Sequence, residues 1–278
     1  MAILLAGLSA LMYGAGDFCG GLGARRSSIL AVLAFSQLTG LVVATLTALA
    51  MRQQAPGADD LAWGAVAGVC GAAGLGALYT AIATTPVAVA SPVAAVTGAV
   101  IPVLIGIGLG ERPDTLAWTG IALALPAIVL LTWGPAGRAA DGGARRAALL
   151  GSVAGVGFGL FFFAVSRTSH QSGLWPLVAA RVMTITVVGV FALVTRRPLL
   201  PSPGGLPAIV LSGALDMGAN IAFLLASRIG MLSVVSVVTS LYPGPTVLLA
   251  WLVFRERMSV ARVVGLALAV TGVALISV

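Results

Sequence analysis

The chain has 278 residues and a formal net charge of +7, but only 8% of its residues are charged, whereas 59% are strongly apolar. A soluble domain is about 45–50% apolar with glycine included, and here 36 glycines come in addition, so the composition excludes a soluble domain and predicts an all-α integral membrane protein. The 15 basic residues are all arginines and lie mostly in short gaps between apolar runs, so we expect no nucleic-acid partner.

Ten apolar runs follow one another, each long enough for a helix to cross the roughly 30 Å of a bilayer's hydrocarbon. The predicted spans are residues 3–23, 29–51, 61–83, 88–109, 115–133, 149–168, 174–195, 206–227, 233–254 and 259–277. The first run is longer than the apolar core of a signal peptide, so it is predicted to be a span. Cys19 and Cys70 lie within apolar runs, which favours packing over a disulfide or a metal site.

A repeat with an offset of 145 positions relates the two halves of the chain. The offset pairs Glu111-Arg112 with Glu256-Arg257, Tyr13-Gly14 with Phe158-Gly159, and Ser91 with Ser236, without a gap. We therefore predict a five-helix repeat at 1–133, a connecting loop at 134–148 and a second five-helix repeat at 149–278. Because five spans are an odd number, the second repeat enters the membrane from the opposite face. The repeats are therefore expected to be inverted, with both termini on one side, called side A.

Glycines spaced four residues apart predict places where helix backbones approach closely in lipid. They are Gly16/Gly20, Gly64/Gly68 and Gly151/Gly155/Gly159. Such positions are either ordinary helix contacts or sliding surfaces of a moving protein. The run Tyr242-Pro243-Gly244-Pro245 predicts a break in the ninth span, and carbonyl groups freed there are expected to line a cavity unless the break is only a packing kink.

These features together resemble the EamA-type transporters of the drug/metabolite transporter superfamily. The resemblance is carried by two five-helix repeats, each with an aromatic-Gly pair in its first helix and Glu-Arg after its fourth, and by the run SLYPGPTVLLAWLVFRERMS from Ser240 to Ser259. It implies a ten-helix carrier of amino acids, metabolites, nucleotide-related compounds or drugs, with a central cavity lined mainly by spans 1, 3, 4, 6, 8 and 9. Thr97-Gly98 replaces Tyr242-Pro243 in the first repeat, so binding is not expected to be symmetric.

Three ionisable residues lie inside predicted spans, where a charge near the bilayer centre costs roughly 3 kcal/mol and therefore marks a candidate functional site. They are Asp17, Arg181 and Asp216. Asn220 follows Asp216 by four residues and shares its helix face. Two interpretations stay open: Arg181 and Asp216 form a structural ion pair between spans 7 and 8, or Asp216 and Asn220 face the cavity and bind an ammonium or hydroxyl group while Arg181 orients Asp216 or meets a carboxylate.

Asp17 has Phe162 in place of a counterpart at the 145-residue offset. We expect it either to couple transport to protons or to cap a local helix break among the glycines that surround it. Tyr79 and Tyr242 are candidate cavity aromatics, and Pro243 completes the set of predicted substrate-binding residues. His170 is the only histidine and lies in a loop, so neither a catalytic residue nor a metal ligand is predicted.

The orientation in the membrane receives two opposite indications. The loops on side A carry four arginines and those on the opposite side, side B, carry ten, so the positive-inside rule places side B in the cytoplasm. The family resemblance implies cytoplasmic termini, and hence a cytoplasmic side A.

The sequence thus predicts a secondary active or facilitative transporter of small organic metabolites, such as amino acids or amphipathic drug-like compounds, that works by alternating access in the cytoplasmic membrane. We expect no enzymatic activity and no cofactor, a small-molecule substrate with proton coupling as an option, and a monomer or a homodimer. The alternatives are a membrane-embedded lipid-modifying enzyme and a lipid-flipping or structural membrane subunit.

Overall fold

A computed structural model describes residues 1–85, 87–132, 143–255 and 258–277. Pro86, most of the predicted connecting loop and the Glu256-Arg257 turn lie outside these residues. The helices are α1 (Ala2–Ala24), α2 (Ile29–Ala50), α3 (Ala58–Thr84), α4 (Val87–Gly108), α5 (Thr115–Thr132), α6 (Gly143–Ser166), α7 (Trp175–Thr195), α8 (Leu206–Ser227), α9 (Leu232–Thr239), α10 (Pro243–Phe254) and α11 (Val260–Ser277). A 3₁₀ turn, His170–Ser172, precedes α7.

Ten of the described segments are long and apolar enough to cross a membrane, with α9 and α10 together forming the ninth, Leu232–Phe254. The predicted all-α fold with ten spans in two inverted repeats is confirmed. The largest difference in a boundary is at α6, which begins at Gly143, six residues before the predicted start of the sixth span. Its first turn carries the exposed Arg145 and Arg146, so it is a polar extension of the apolar helix.

Helix α1 turns its larger apolar side chains outward and its small residues inward. Leu4, Leu8 and Leu11 are exposed, whereas Ala6 and Ala10 are buried. The exposed leucines are the surface that a bilayer would cover, since lipid tails solvate such side chains. The small buried residues allow the helix backbones to pack closely.

The most extensive helix contacts join the two repeats to each other. Helix α1 packs along α8, α6 packs against both α4 and α3, and α5 packs along α11. Helix α2 lies against α7 and α8, and α3 also contacts α7. The core is therefore shared between the halves of the chain.

The glycines spaced four apart lie at these close contacts, as predicted. A Cβ atom built on Gly155 of α6 would lie 2.5 Å from the carbonyl oxygen of Ala94 in α4. A Cβ atom on Gly20 of α1 would lie 3.0 Å from the hydroxyl of Ser212 in α8. Gly64 of α3 likewise faces the backbone of Pro176 in α7.

The turn between α4 and α5 is joined to the start of α9 through Glu111. Its Oε1 accepts a hydrogen bond from the N–H of Leu232 at 2.6 Å, and its Oε2 accepts one from the N–H of Ser233 at 2.9 Å. These N–H groups belong to the first turn of a helix, where no intrahelical acceptor is available. A carboxylate from the first repeat therefore caps a helix of the second.

The predicted break in the ninth span is confirmed, and two of the carbonyl groups that its prolines leave without their usual donors find other ones. Pro243 and Pro245 have no N–H to donate to the carbonyl groups four residues earlier. The N–H of Tyr242 donates to Thr239 O at 3.2 Å and that of Gly244 donates to Leu241 O at 2.9 Å. The carbonyl groups of Thr239 and Leu241 therefore accept from the residue three positions later instead of four, as in a 3₁₀ turn.

Candidate functional site

A cavity of about 210 Å³ lies in the interior of the bundle. Both repeats line it: α1 to α4 contribute from the first, and α6, α7, α8 and the break before α10 from the second. All six spans that the resemblance implies thus line the cavity, and α2 and α7 line it as well. Aromatic rings form much of the wall, namely Tyr13, Tyr79, Phe158, Phe161, Phe162 and Tyr242.

Most of the predicted site residues meet at this cavity. Asp17, Tyr79, Arg181, Asp216, Asn220 and Tyr242 all line it. Pro243 is instead buried in the first turn of α10, directly after the break. A role in substrate binding stays a prediction for each of them.

Arg181 is the centre of a polar network that joins three helices. It lies on α7 with 7% of its surface exposed, and it donates to Oδ2 of Asp216 on α8 and to Oε1 of Gln37 on α2. The ion pair between spans 7 and 8 is therefore present, and both partners also line the cavity. The structural interpretation and the cavity interpretation are compatible.

Asn220 lies one helical turn after Asp216. Its Nδ2 donates to the carbonyl oxygen of Asp216 at 2.7 Å and faces the Asp216 carboxylate at 3.4 Å. The amide nitrogen must face these two groups because both are acceptors. The Oδ1 atom of Asn220 is buried and has no hydrogen-bond partner within the described part of the chain.

Asp17 lies deep in α1, yet it is exposed and lines the cavity. Helix α1 is continuous from Ala2 to Ala24, so the expected alternative, a cap on a local helix break, is wrong. The structure gives its carboxylate no hydrogen bond or ion pair among the described residues. Asp17 is therefore an acidic side chain that lines the cavity without a partner in the described part of the chain.

The aromatic wall is built where α1 meets the broken ninth span. The ring centroid of Tyr13 lies 6.1 Å from that of Tyr242 and 6.3 Å from that of Phe162. This approach depends on Gly14, because a Cβ atom there would lie 2.5 Å from Tyr242 O and 2.7 Å from Cβ of Pro245. The Thr246 hydroxyl also donates to Gly14 O at 3.1 Å.

Some lining residues were not among the predicted site residues. Phe161 and Phe162 belong to a run of three phenylalanines in α6, and this aromatic density was an available signal. Thr184 follows Arg181 by three residues on one face of α7, and its hydroxyl donates to Gly68 O at 3.0 Å. No group of three or more His, Cys, Asp or Glu side chains that could hold a metal ion occurs in the ranges the structure describes.

Comparison with known proteins supports the architecture and identifies the family. The model of the EamA-like transporter family matches residues 1–133 and again residues 145–278. A solved crystal structure of a protein with 19% sequence identity superposes with a TM-score of 0.80, over 99% of this chain and 95% of that one. No curated protein matches the sequence. The chain therefore belongs to the EamA-like transporter family, and it is a multi-pass membrane transporter of the drug/metabolite transporter type.

Proposed function

We propose that the protein carries small organic metabolites across the cytoplasmic membrane by alternating access through the central cavity. The observation that supports this most directly is the placement of the cavity, which lies between two inverted repeats and is lined by both. Inverted-repeat transporters bind their substrates at such an interface and expose it to each side in turn. The polar groups of the cavity lie on membrane-spanning helices, where they are costly to keep.

The size of the cavity favours metabolites over large drug-like compounds. Its volume of about 210 Å³ is below the roughly 300–1,000 Å³ that is typical of pockets for drug-sized ligands. A solute of the size of an amino acid fits this volume better. The mixed lining, aromatic with a few polar anchors, suits a molecule that has one apolar end and one polar end.

Liposomes containing the purified protein test this proposal. A thermal-shift panel of metabolites first selects the compound that stabilises the protein most, since a ligand of the folded state raises its apparent stability. Counterflow of that compound is then measured for the wild type, for Leu78→Trp, which adds bulk at the cavity, and for Leu8→Trp on the exposed face of α1. We expect Leu78→Trp to lose counterflow and Leu8→Trp to retain it.

Two outcomes would contradict this proposal. Wild-type counterflow in Leu78→Trp would show that the solute does not pass through the cavity. Chemical turnover of the compound in place of counterflow would support an enzyme.

We infer further that Asp17 couples this transport to protons. It is a cavity carboxylate without a partner among the described side chains, whereas Asp216 is paired with Arg181. The other titratable groups of the lining, within the ranges that the structure describes, are Tyr13, Tyr79 and Tyr242. Asp17→Asn should abolish uptake driven by a pH gradient, while exchange at saturating solute without a gradient continues. Unchanged pH-driven uptake in Asp17→Asn would refute the coupling role.

A further inference from the structure

The charges that line the cavity do not cancel. Among the residues that the structure describes, the charged groups of the lining are two carboxylates, those of Asp17 and Asp216, and one guanidinium, that of Arg181. If all three are ionised, the lining keeps one negative charge. A charge within a membrane span is costly unless an opposite charge compensates it, so a solute with a single positive charge would complete the balance.

The positive group of the lining is more buried than the carboxylate with which it pairs. Arg181 has 8% of its side chain exposed, against 31% for Asp216. Its NH1 and NH2 groups already donate to Gln37 and Asp216. A carboxylate of the solute would therefore have to compete with Asp216 and Gln37 for the guanidinium.

Two acceptor atoms of lining residues receive no hydrogen bond from the described part of the chain. Only Oδ2 of the Asp216 carboxylate accepts a hydrogen bond in the described part of the chain, which leaves Oδ1 without a donor. Asn220 is 2% exposed, and its buried Oδ1 has no donor either. A buried acceptor without a donor costs free energy until one is supplied. An ammonium group offers three N–H donors and no acceptor, which matches this arrangement.

The carboxylates are brought to one place by the crossing of α1 and α8. A Cβ atom at Gly16 would lie 3.3 Å from Ser212 O and 3.4 Å from the backbone nitrogen of Asp216. Asp17 is the next residue on α1, so both acidic side chains enter the cavity from this crossing. Tyr13 lies one turn before Asp17 on the same face, and its ring packs beside that of Tyr242. Aromatic faces attract cations within about 6 Å of the ring centroid.

We propose that the cavity selects small organic monocations that carry an N–H-donating ammonium group, with Asp17 and Asp216 as counter-charges and Oδ1 of Asn220 as an acceptor. This inference rests on the proposed transport function, because it names the chemical class of the solute. Aliphatic and aromatic amines satisfy it. Simple carboxylates do not, and zwitterionic amino acids satisfy it only in part.

Two sets of compounds with matched carbon skeletons test the selectivity. The first is 2-phenylethylamine, phenylalanine and 3-phenylpropionate, and the second is isopentylamine, leucine and 4-methylpentanoate. Thermal shift and calorimetric titration of the purified full-length protein at one fixed pH measure binding. We expect both amines to bind, the amino acids to bind more weakly and the carboxylates to give no shift.

Two isosteric variants separate the role of the cavity charge from a general effect of charge. Asp17→Asn should weaken amine binding by roughly tenfold or more, because a hydrogen bond to a charged group is lost. Asp59→Asn makes the same change at an exposed residue in the first turn of α3 and should bind amines as the wild type does. The thermal stability of each variant without ligand reports whether it is folded.

The selectivity proposal is overturned if neither amine binds, if a carboxylate or an amino acid binds as tightly as its matched amine, or if the two variants bind amines equally. Failure of the transport function has a different signature. In that case amines would still bind in detergent, but the reconstituted protein would show no counterflow of any compound.

Discussion

Replacing Gly155 by alanine tests how tightly the two repeats are packed beside the cavity. The new Cβ atom would lie 2.5 Å from Ala94 O, 2.5 Å from Cβ of Thr97 and 2.8 Å from the backbone nitrogen of Gly98. Two of these atoms belong to the backbone of α4 and the third is attached directly to it, so rotation of a side chain cannot relieve the contact. Helix α4 must move by about 1 Å to reach an ordinary van der Waals distance.

The expected cost follows from two opposing effects. Overpacking of a dense interior costs about 1–3 kcal/mol, and the fixed α4 backbone places Gly155→Ala in the upper part of that range. Alanine in place of glycine returns up to about 1 kcal/mol in helix propensity. We therefore expect Gly155→Ala to lower the free energy of unfolding by about 1–2 kcal/mol.

Unfolding in mixed detergent micelles, followed by circular dichroism, measures this change. Gly189→Ala in α7 is the matched control, because no heavy atom lies within 4 Å of its built Cβ. That variant should be as stable as the wild type or slightly more stable. Equal stability of the Gly155 and Gly189 variants would refute the close packing of α4 on α6.

The same unfolding assay checks three further expectations. Asp216→Asn should lower the free energy of unfolding by about 2–3 kcal/mol, because it leaves the buried Arg181 without its counter-charge; the value is moderate because about a third of the Asp216 side chain is exposed. Adding Arg181→Gln should restore part of this loss, and strictly additive losses would contradict the pairing. Glu111→Ala should cost about 1–2 kcal/mol because two N–H groups of α9 lose their acceptor. A smaller loss in Glu111→Gln would confirm that reason, whereas wild-type stability of Glu111→Ala would contradict it. Gly173→Ala should cost about 1–3 kcal/mol because φ is +56° there, and a change within the error of the assay would exclude strain at this turn.

The fold was predictable because membrane spans and a duplication can both be recognised in the sequence. A continuous apolar run of about 20 residues has few other structural solutions, and the 145-residue offset, with five spans per repeat, requires inversion. The early start of α6 was not visible in hydropathy, because the Arg145 and Arg146 turn is polar but still helical. The break before Pro243 was predictable from proline chemistry, although its tight re-bonding was not.

The site was predictable in its charged members and less so in the others. A charge inside a span is conspicuous, which is why Asp17, Arg181 and Asp216 could be named. The partner that Arg181 finds in Gln37 is 144 residues away, and no local pattern indicates it. Apolar residues surround a membrane helix on every face, so periodicity says little about which phenylalanines of α6 face the cavity.

The exchange of neighbours between the repeats has a consequence for how the protein is made. Because α1 lies along α8, α3 and α4 lie against α6, and α5 lies along α11, a nascent first half leaves the ribosome with its principal contact surfaces empty. Those surfaces become covered only when the matching helices of the second half have been synthesised, so the tertiary structure is completed late in translation. The two halves should accordingly complement each other when produced as separate chains, in the manner of an ancestral dimer whose subunits were inserted in opposite directions.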